Sequence, residues 1–302
     1  MTLMSLHDLI IKFFSGNYPL HEIIFIRSIV AILLAVLFAR IEGGFRLLLT
    51  KRIWLHLTRG FLLVIANVSF FLALAAMPLA DAVAIFFVAP LFITILAAVL
   101  LGEQVGPNRW FAIALGLTGV ALMLKPGSSM FQWVSLLPII AALTYTLMVI
   151  ITRHMGTTER ASAMLYWTQL VYLAASCGFG LIAGDGRFAG NGHLSLEFLL
   201  RAWIWPDQGD LLLLIVCGAL LGTAHYLMFR AYLLAEANLV APFEYVALPM
   251  AVLWGFLVWG NLPEFVEWIG MSMIIGGGLI VFYRETVRGR LLATPRLLPI
   301  NR

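Results

Sequence analysis

Ten apolar runs, most of them close to the length of a bilayer-crossing helix, follow one another along this chain with short polar breaks between them. They read as helices over residues 1–15, 20–40, 54–76, 79–101, 108–125, 131–151, 161–184, 210–234, 238–260 and 264–284. A helix needs roughly 20 predominantly apolar residues to cross the hydrocarbon core. Inside lipid the backbone must satisfy its hydrogen bonds within the segment, which leaves the helix as the economical solution for runs of this length. The expected fold is therefore an all-α integral membrane protein of ten transmembrane helices. Composition removes the soluble alternative: 62% of residues are hydrophobic and 11% are charged, whereas a soluble domain carries about 25% charged residues.

Glycine, proline and charge punctuate the runs, as at Gly16-Asn17-Tyr18-Pro19 and from Gly102-Glu103 to Pro107-Asn108. A longer polar stretch, Asp185 to Gln208, separates the seventh and eighth runs, and residues 286–302 form a polar, basic tail. The first run is short and carries His7, Asp8 and Lys12. Its 14 or so residues before Gly16 make about 21 Å of helix, so either it snorkels or the natural start lies upstream of Met1. Lys and Arg gather on one side: Arg40, Arg46, Lys51, Arg52, Arg109, Arg153 and Arg160 in loops, and Arg284, Arg288, Arg290, Arg296 and Arg302 at the C-terminal end. Lys125, Arg187 and Arg201 fall on the other, with Lys12 near a helix end. The positive-inside rule places both termini in the cytoplasm of a cell (inner) membrane protein.

That distribution also removes nucleic acid as the reason for a net charge of +4. Cys177 and Cys217 lie in apolar runs and read as small buried side chains rather than a disulfide or metal site. No G-x-x-x-x-G-K-[ST] loop and no H-E-x-x-H motif is present, and the six histidines (7, 21, 56, 154, 193, 225) are scattered. The chain is expected to be no enzyme, to need no cofactor, and to hydrolyse no ATP.

The two halves resemble each other. Leu101-Gly102-Glu103 recurs as Trp259-Gly260-Asn261, and Gly102 with Gly260 and Gly119 with Gly277 are each separated by 158 residues. Pro90 and Pro249 sit inside apolar runs one residue out of that register. Five helices per half reverse the second half relative to the first. This gives two inverted five-helix repeats, residues 1–127 and 128–285, the construction of many secondary transporters with a midplane site between the halves. The alternative source of recurring glycines is close helix packing, the reading given to Gly180/Gly184 and Gly218/Gly222.

The segments PLADAVAIFFVAPLFITILAAVLLGE (78–103), ANLVAPFEYVALPMAVLWGFLVWGN (237–261) and EIIFIR (22–27) resemble the drug/metabolite transporter superfamily, in its ten-helix EamA-type branch. Asn261 stands where the second repeat of that family often has Glu. The resemblance implies a secondary transporter with a central cavity, working by alternating access on a small organic metabolite, with no nucleic-acid partner. The APFEY and LHDLIIKFF segments look most like the branch with riboflavin and S-adenosylmethionine transporters. Riboflavin uptake is the most specific expectation. S-adenosylmethionine transport, or export of amino acids or amphiphilic drugs and metabolites, is the alternative, and a membrane-embedded enzyme the remote one. A coupling proton or ion and a monomer or homodimer remain open.

Ionisable groups at membrane depth are costly and mark candidate sites. Glu244 with Tyr245, between Pro242 and Pro249, is the leading candidate, as substrate anchor or proton carrier; pairing with a buried arginine is its structural alternative. Arg27 and Arg230 follow, as anion anchors or as partners of Glu22, Glu236 or Glu244, with snorkelling the plainer role for Arg230. His7 and Asp8 either line the cavity or bridge locally to Lys12. Asn67, Tyr145, His225 and Tyr226 offer hydrogen bonds to substrate or helix glue. Phe70, Phe71, Phe86 and Trp167 offer faces for a flat ring or plain packing. Asp81 reads as a helix cap.

Overall fold

In the computed structural model the described residues are 1–101, 107–124, 133–155, 159–190, 192–234 and 241–287. Expectations for Glu103, Lys125, Glu236 and the tail from 288 fall outside them. Among the described residues the chain forms α1 (Thr2–Phe14), α2 (Leu20–Glu42), α3 (Ile53–Ala76), α4 (Leu79–Phe86), α5 (Ala89–Leu101), α6 (Pro107–Leu124), α7 (Leu137–Met155), α8 (Ala161–Ala183), α9 (Leu194–Leu200), α10 (Gln208–Leu234), α11 (Ala247–Trp259) and α12 (Phe265–Val287). Short 3-10 turns cover Phe45–Leu48, Trp133–Leu136 and Ala241–Val246. The protein is an all-α membrane protein of around ten spanning helices. Leu20–Glu42, Ile53–Ala76, Leu79–Leu96, Trp133–Thr152, Ala161–Ala183 and Gln208–Ala231 are long and apolar enough to cross, and Trp110–Leu124, Glu244–Trp259 and Phe265–Ile280 are shorter apolar helices.

The expected runs and the observed helices coincide closely, with two informative differences. The fourth and ninth runs are broken. Proline lacks the N–H that would reach the carbonyl four residues back, and its ring crowds that carbonyl. For Pro90 that carbonyl belongs to Phe86, where α4 ends; for Pro249 it belongs to Tyr245, inside the 3-10 turn. At the first break Leu91 N donates to Val88 O at 2.9 Å, three residues back instead of four. The second difference is α9, which lies within the polar 185–208 stretch and packs on α3.

Helix neighbours come in matched pairs. Numbering the ten runs in order, the first packs on the eighth and the sixth on the third; the second packs on the eighth and the seventh on the third. The second also packs on the seventh, the fourth on the ninth and the fifth on the tenth. Within the last contact, between α6 and α12, Gly119 faces the Gly270 carbonyl and Gly277 faces the Ala112 carbonyl, a Cβ at either glycine meeting that oxygen at 2.6 Å. Gly218 and Gly222 likewise bring α10 onto α2, a Cβ at Gly218 lying 2.7 Å from the Arg27 carbonyl. Gly180 instead faces His21 and Trp203. Cys217 is buried as expected, but Cys177 is exposed: it lies on the outer side of α8, next to buried Ser176, and a run that is apolar all round does not show in sequence which side turns inward. Asp81 lies in the first turn of α4, whose N-cap is Pro78.

Candidate functional site

Near the middle of α3, Asn67, Phe70 and Phe71 recur at three- and four-residue spacing and so share one face. From that face a file of rings runs across the bundle: His7 to Phe71 (5.9 Å between centroids), Phe71 to Phe70 (5.7 Å), Phe70 to Phe86 (5.4 Å) and Phe86 to Tyr145 (5.4 Å). Phe70, Phe86, Tyr145 and Asn67 are only half-buried, whereas Phe71 is buried. The file draws side chains from α1, α3, α4 and α7.

The polar groups at one end of the file centre on Arg27, which is fully buried. Its guanidinium lies 5.1 Å from the Phe71 ring and 5.5 Å from the Tyr172 ring. Arg27 Nη2 donates to Asn67 Oδ1 at 3.3 Å, and Nη1 approaches His7 Nε2 at 2.7 Å. A guanidinium only donates, so His7 Nε2 must accept. The ring proton then sits on Nδ1, which donates to Asp8 Oδ1 at 3.0 Å. This tautomer is assigned from the network. Lys12 does not serve Asp8: its ammonium donates to the Leu74 and Met77 carbonyls, both at 2.6 Å, where α3 ends and a cation suits the helix dipole.

At the other end lie the two helix breaks. The Phe87 ring of the first meets the Tyr245 ring of the second at 5.1 Å. Glu244, half-buried in the Ala241–Val246 turn, is within electrostatic reach of the Tyr145 and Tyr245 hydroxyls. Tyr245 reaches Gly278 of α12, where any Cβ would collide with its hydroxyl. Gly278 therefore shapes the site, and nothing in its local sequence marked it.

The structure brings together Arg27, Asn67, Phe70, Phe71, Phe86, Tyr145, Glu244 and Tyr245, with His7 and Asp8. It places Trp167, Tyr226 and Arg230 elsewhere, at the end of the bundle that carries Thr50. There Trp167 Nε1 donates to Leu48 O at 2.9 Å. Tyr226 stacks on Phe38 (4.0 Å) and donates to Glu42 Oε1 at 3.1 Å, and Arg230 Nη1 donates to the Tyr226 hydroxyl at 3.3 Å. His225 stacks on Phe229.

Sequence reasoning missed Arg59. It is fully buried between the Thr50 end and the central file, and its Nη2 donates to Met164 O and Thr168 Oγ1, both at 2.6 Å. Its guanidinium lies over Phe229 at 5.1 Å. Arg59 follows Lys51 and Arg52 closely and so reads as the fringe of a loop. The usable signal was its period: His56, Arg59, Leu63, Asn67 and Phe71 form one stripe of α3. Facing it, Tyr172 donates to Leu63 O at 3.0 Å, and Glu159 lies 3.5 Å from His56 Nε2.

Both ends of the bundle are tied. At the Thr50 end, Thr50 Oγ1 donates to Glu159 Oε1 at 2.7 Å and Ser162 Oγ to Glu42 Oε2 at 2.5 Å. At the opposite, Tyr18 end, Ser195 Oγ donates to Leu72 O at 2.7 Å and Ile204 N to Glu22 Oε2 at 3.1 Å. Tyr18 Oη donates to Asp210 Oδ2 at 2.7 Å, and the carboxylate pushes the phenol up to about 12.

Comparison with known proteins gives consistent results. A sequence model of the EamA-like transporter family matches residues 1–125. A riboflavin transporter of Rhizobium johnstonii is 32% identical over 237 residues, covering 78% of this chain and 72% of its own. An S-adenosylmethionine uptake transporter of Rickettsia prowazekii is 25% identical over 281 residues, covering 93% and 89%. A solved crystal structure superposes with a TM-score of 0.65 at 18% identity, over 95% of this chain and 96% of that one, a likeness of fold alone.

Proposed function

From the premise that this chain belongs to the EamA-like transporter family and is a transporter of a small metabolite, we propose that it takes up riboflavin by alternating access through the central aromatic file. The observation that carries this reading is the file itself: half-buried Phe70, Phe86 and Tyr145 in succession, with donors at Arg27 and Asn67 and an acceptor at Glu244. A flat ring system with edge carbonyls and N–H groups suits apolar walls with a few polar anchors. The name of the Rhizobium relative supports the same choice.

Residues 1–127 and 128–285 act as two inverted five-helix units on this reading, and the paired helix neighbours support it: the 112·277 and 119·270 contacts exchange under a shift of 158 residues. Both termini lie in the cytoplasm, which makes the Thr50 end cytoplasmic. A second substrate, S-adenosylmethionine, is favoured by the Rickettsia relative and by the acidic Glu244, which would face its cationic groups. The transporter relatives point away from an enzyme.

Purified protein in lipid vesicles is expected to accumulate labelled riboflavin above empty vesicles. Glu244→Gln is expected to abolish uptake while the protein still inserts and purifies. Accumulation of labelled S-adenosylmethionine with no movement of riboflavin would replace the first substrate with the second, and wild-type uptake by Glu244→Gln would remove Glu244 from the site.

A further inference from the structure

The substrate site does not account for Asp8 and His7. An aspartate and a histidine at membrane depth are costly unless they work, and these two are held in an ordered file inside the bundle: Asp8 Oδ1, His7 Nδ1–H, His7 Nε2, Arg27 Nη1–H. We propose that Asp8, His7 and Arg27 form the binding site for a coupling proton, moved inward together with the substrate. This rests on the transporter reading above but not on the choice of substrate.

Charge and donor count decide where a proton can sit in this triad. With Asp8 ionised, the tautomer assigned above leaves His7 neutral beside the permanent cation Arg27, so the triad is neutral overall. A proton has one productive place to go, the Asp8 carboxylate, whose side chain is 18% exposed while His7 is 1% exposed. Nδ1 of His7 already carries its proton, and a proton on Nε2 would face the Arg27 donor. With Asp8 neutralised, the triad carries the full charge of Arg27 in a buried setting. That excess is relieved by an electron-rich group of the substrate, and Arg27 Nε, buried without a partner, is the donor available to it. Arg27 also holds Asn67 and lies on Phe71, the first carbocyclic ring of the file. Proton and substrate thus favour each other's binding, which is the requirement for movement in the same direction.

The other titratable groups around the triad fit this assignment. From α10, Cys217 lies against the His7 carbonyl, and His225 is within electrostatic reach of Arg27 and Arg59. From α8, Tyr172 faces Arg27. On α1 itself Lys12 is engaged with the end of α3. From α3 and α11, Asn67 and Trp254 contribute neutral groups, Trp254 Nε1 donating to Ser5 Oγ at 3.2 Å. No second carboxylate is seen in contact with the triad among the described residues, so Asp8 is the acid that changes charge.

The test uses the full chain in lipid vesicles. Wild-type protein is expected to accumulate labelled riboflavin when the outside is made acidic, and Asp8→Asn to lose this response while still exchanging internal for external riboflavin, which needs no net proton movement. A pH-difference infrared spectrum of the same preparation is expected to contain a protonated-carboxyl C=O band that Asp8→Asn lacks and Asp8→Glu restores at a shifted position. This second measurement needs no substrate, so it still decides if riboflavin is not the cargo. His7→Gln, which keeps an acceptor for Arg27 but cannot pass a proton, guards against misfolding of the Asp8 variant and is expected to shift the band's titration. A band unchanged in Asp8→Asn, or pH-driven accumulation surviving that substitution, overturns the proposal.

Discussion

At the scale of single residues, buried cations organise this bundle. Arg27 on α2 and Arg59 on α3 are both fully buried, with Tyr172 of α8, on which both helices pack, near each. Their guanidiniums differ in what they hold: Arg27 ties α1 and α3 to α2, whereas Arg59 ties α3 to the start of α8. An interhelical hydrogen bond in a membrane contributes about 0.6 kcal/mol on average, so Arg59→Lys, which loses the planar fork but keeps the charge, is expected to cost about 1 kcal/mol of stability and to slow transport. Thermal unfolding alongside uptake separates the two; wild-type uptake in Arg59→Lys would confine Arg59 to packing. Tyr18 offers a pH signature outside the spans. Its phenol is held neutral by donating to Asp210, up to about 12 rather than 10.0. A raised phenol stabilises the fold below the unfolded value, and that contribution disappears as pH rises from about 10 to about 12. The unfolding-temperature gap between wild type and Tyr18→Phe is expected to be constant up to about pH 10 and to close above it.

At the scale of elements, two devices recur: a helix broken ahead of a proline, and a helix pair with no side chain between its backbones. The breaks set Phe86, Phe87, Glu244 and Tyr245 at the centre, where a continuous helix would carry them on past. The α6·α12 contact depends on position along the helix in a checkable way. A Cβ at Gly277 would lie 2.6 Å from the Ala112 carbonyl, whereas at Gly276 the nearest atom is a Leu115 methyl at 4.0 Å. Gly277→Ala is therefore expected to lower the unfolding temperature, and Gly276→Ala to leave it unchanged or raise it through better helix propensity. Equal effects of the two would mean that α6 and α12 do not pack this closely.

At the scale of the whole molecule, hydrogen bonds bridge both ends of the bundle, and alternating access requires each set to open in turn. Bridging Thr50→Cys to Glu159→Cys with a short bifunctional maleimide, in a background without Cys177 and Cys217, is expected to stop uptake at the first turnover, with single-cysteine variants unaffected. Full uptake after complete cross-linking would show that this end stays shut throughout the cycle. The assignment of that end to the cytoplasm is checked by a reporter fused to the C-terminus, expected to be active inside.

The positions of the spanning helices were legible in the sequence because a lipid solvent imposes a local requirement. A segment either is long and apolar enough or it is not, and prolines, glycines and charges mark its ends. Phe70, Phe86, Tyr145 and Glu244 were legible as candidates for the same reason, being aromatic or ionisable at membrane depth. Which of them meet was not legible. Arg27 and His7 are 20 residues apart, Arg59 and Thr168 109 apart, and helical periodicity gives a residue its face but not the neighbour opposite. Trp167 and Tyr226 carried the same chemistry as Tyr145 and yet lie at the Thr50 end. Only the packing of ten runs against one another, set by where glycines let backbones approach, decided which polar groups share the centre.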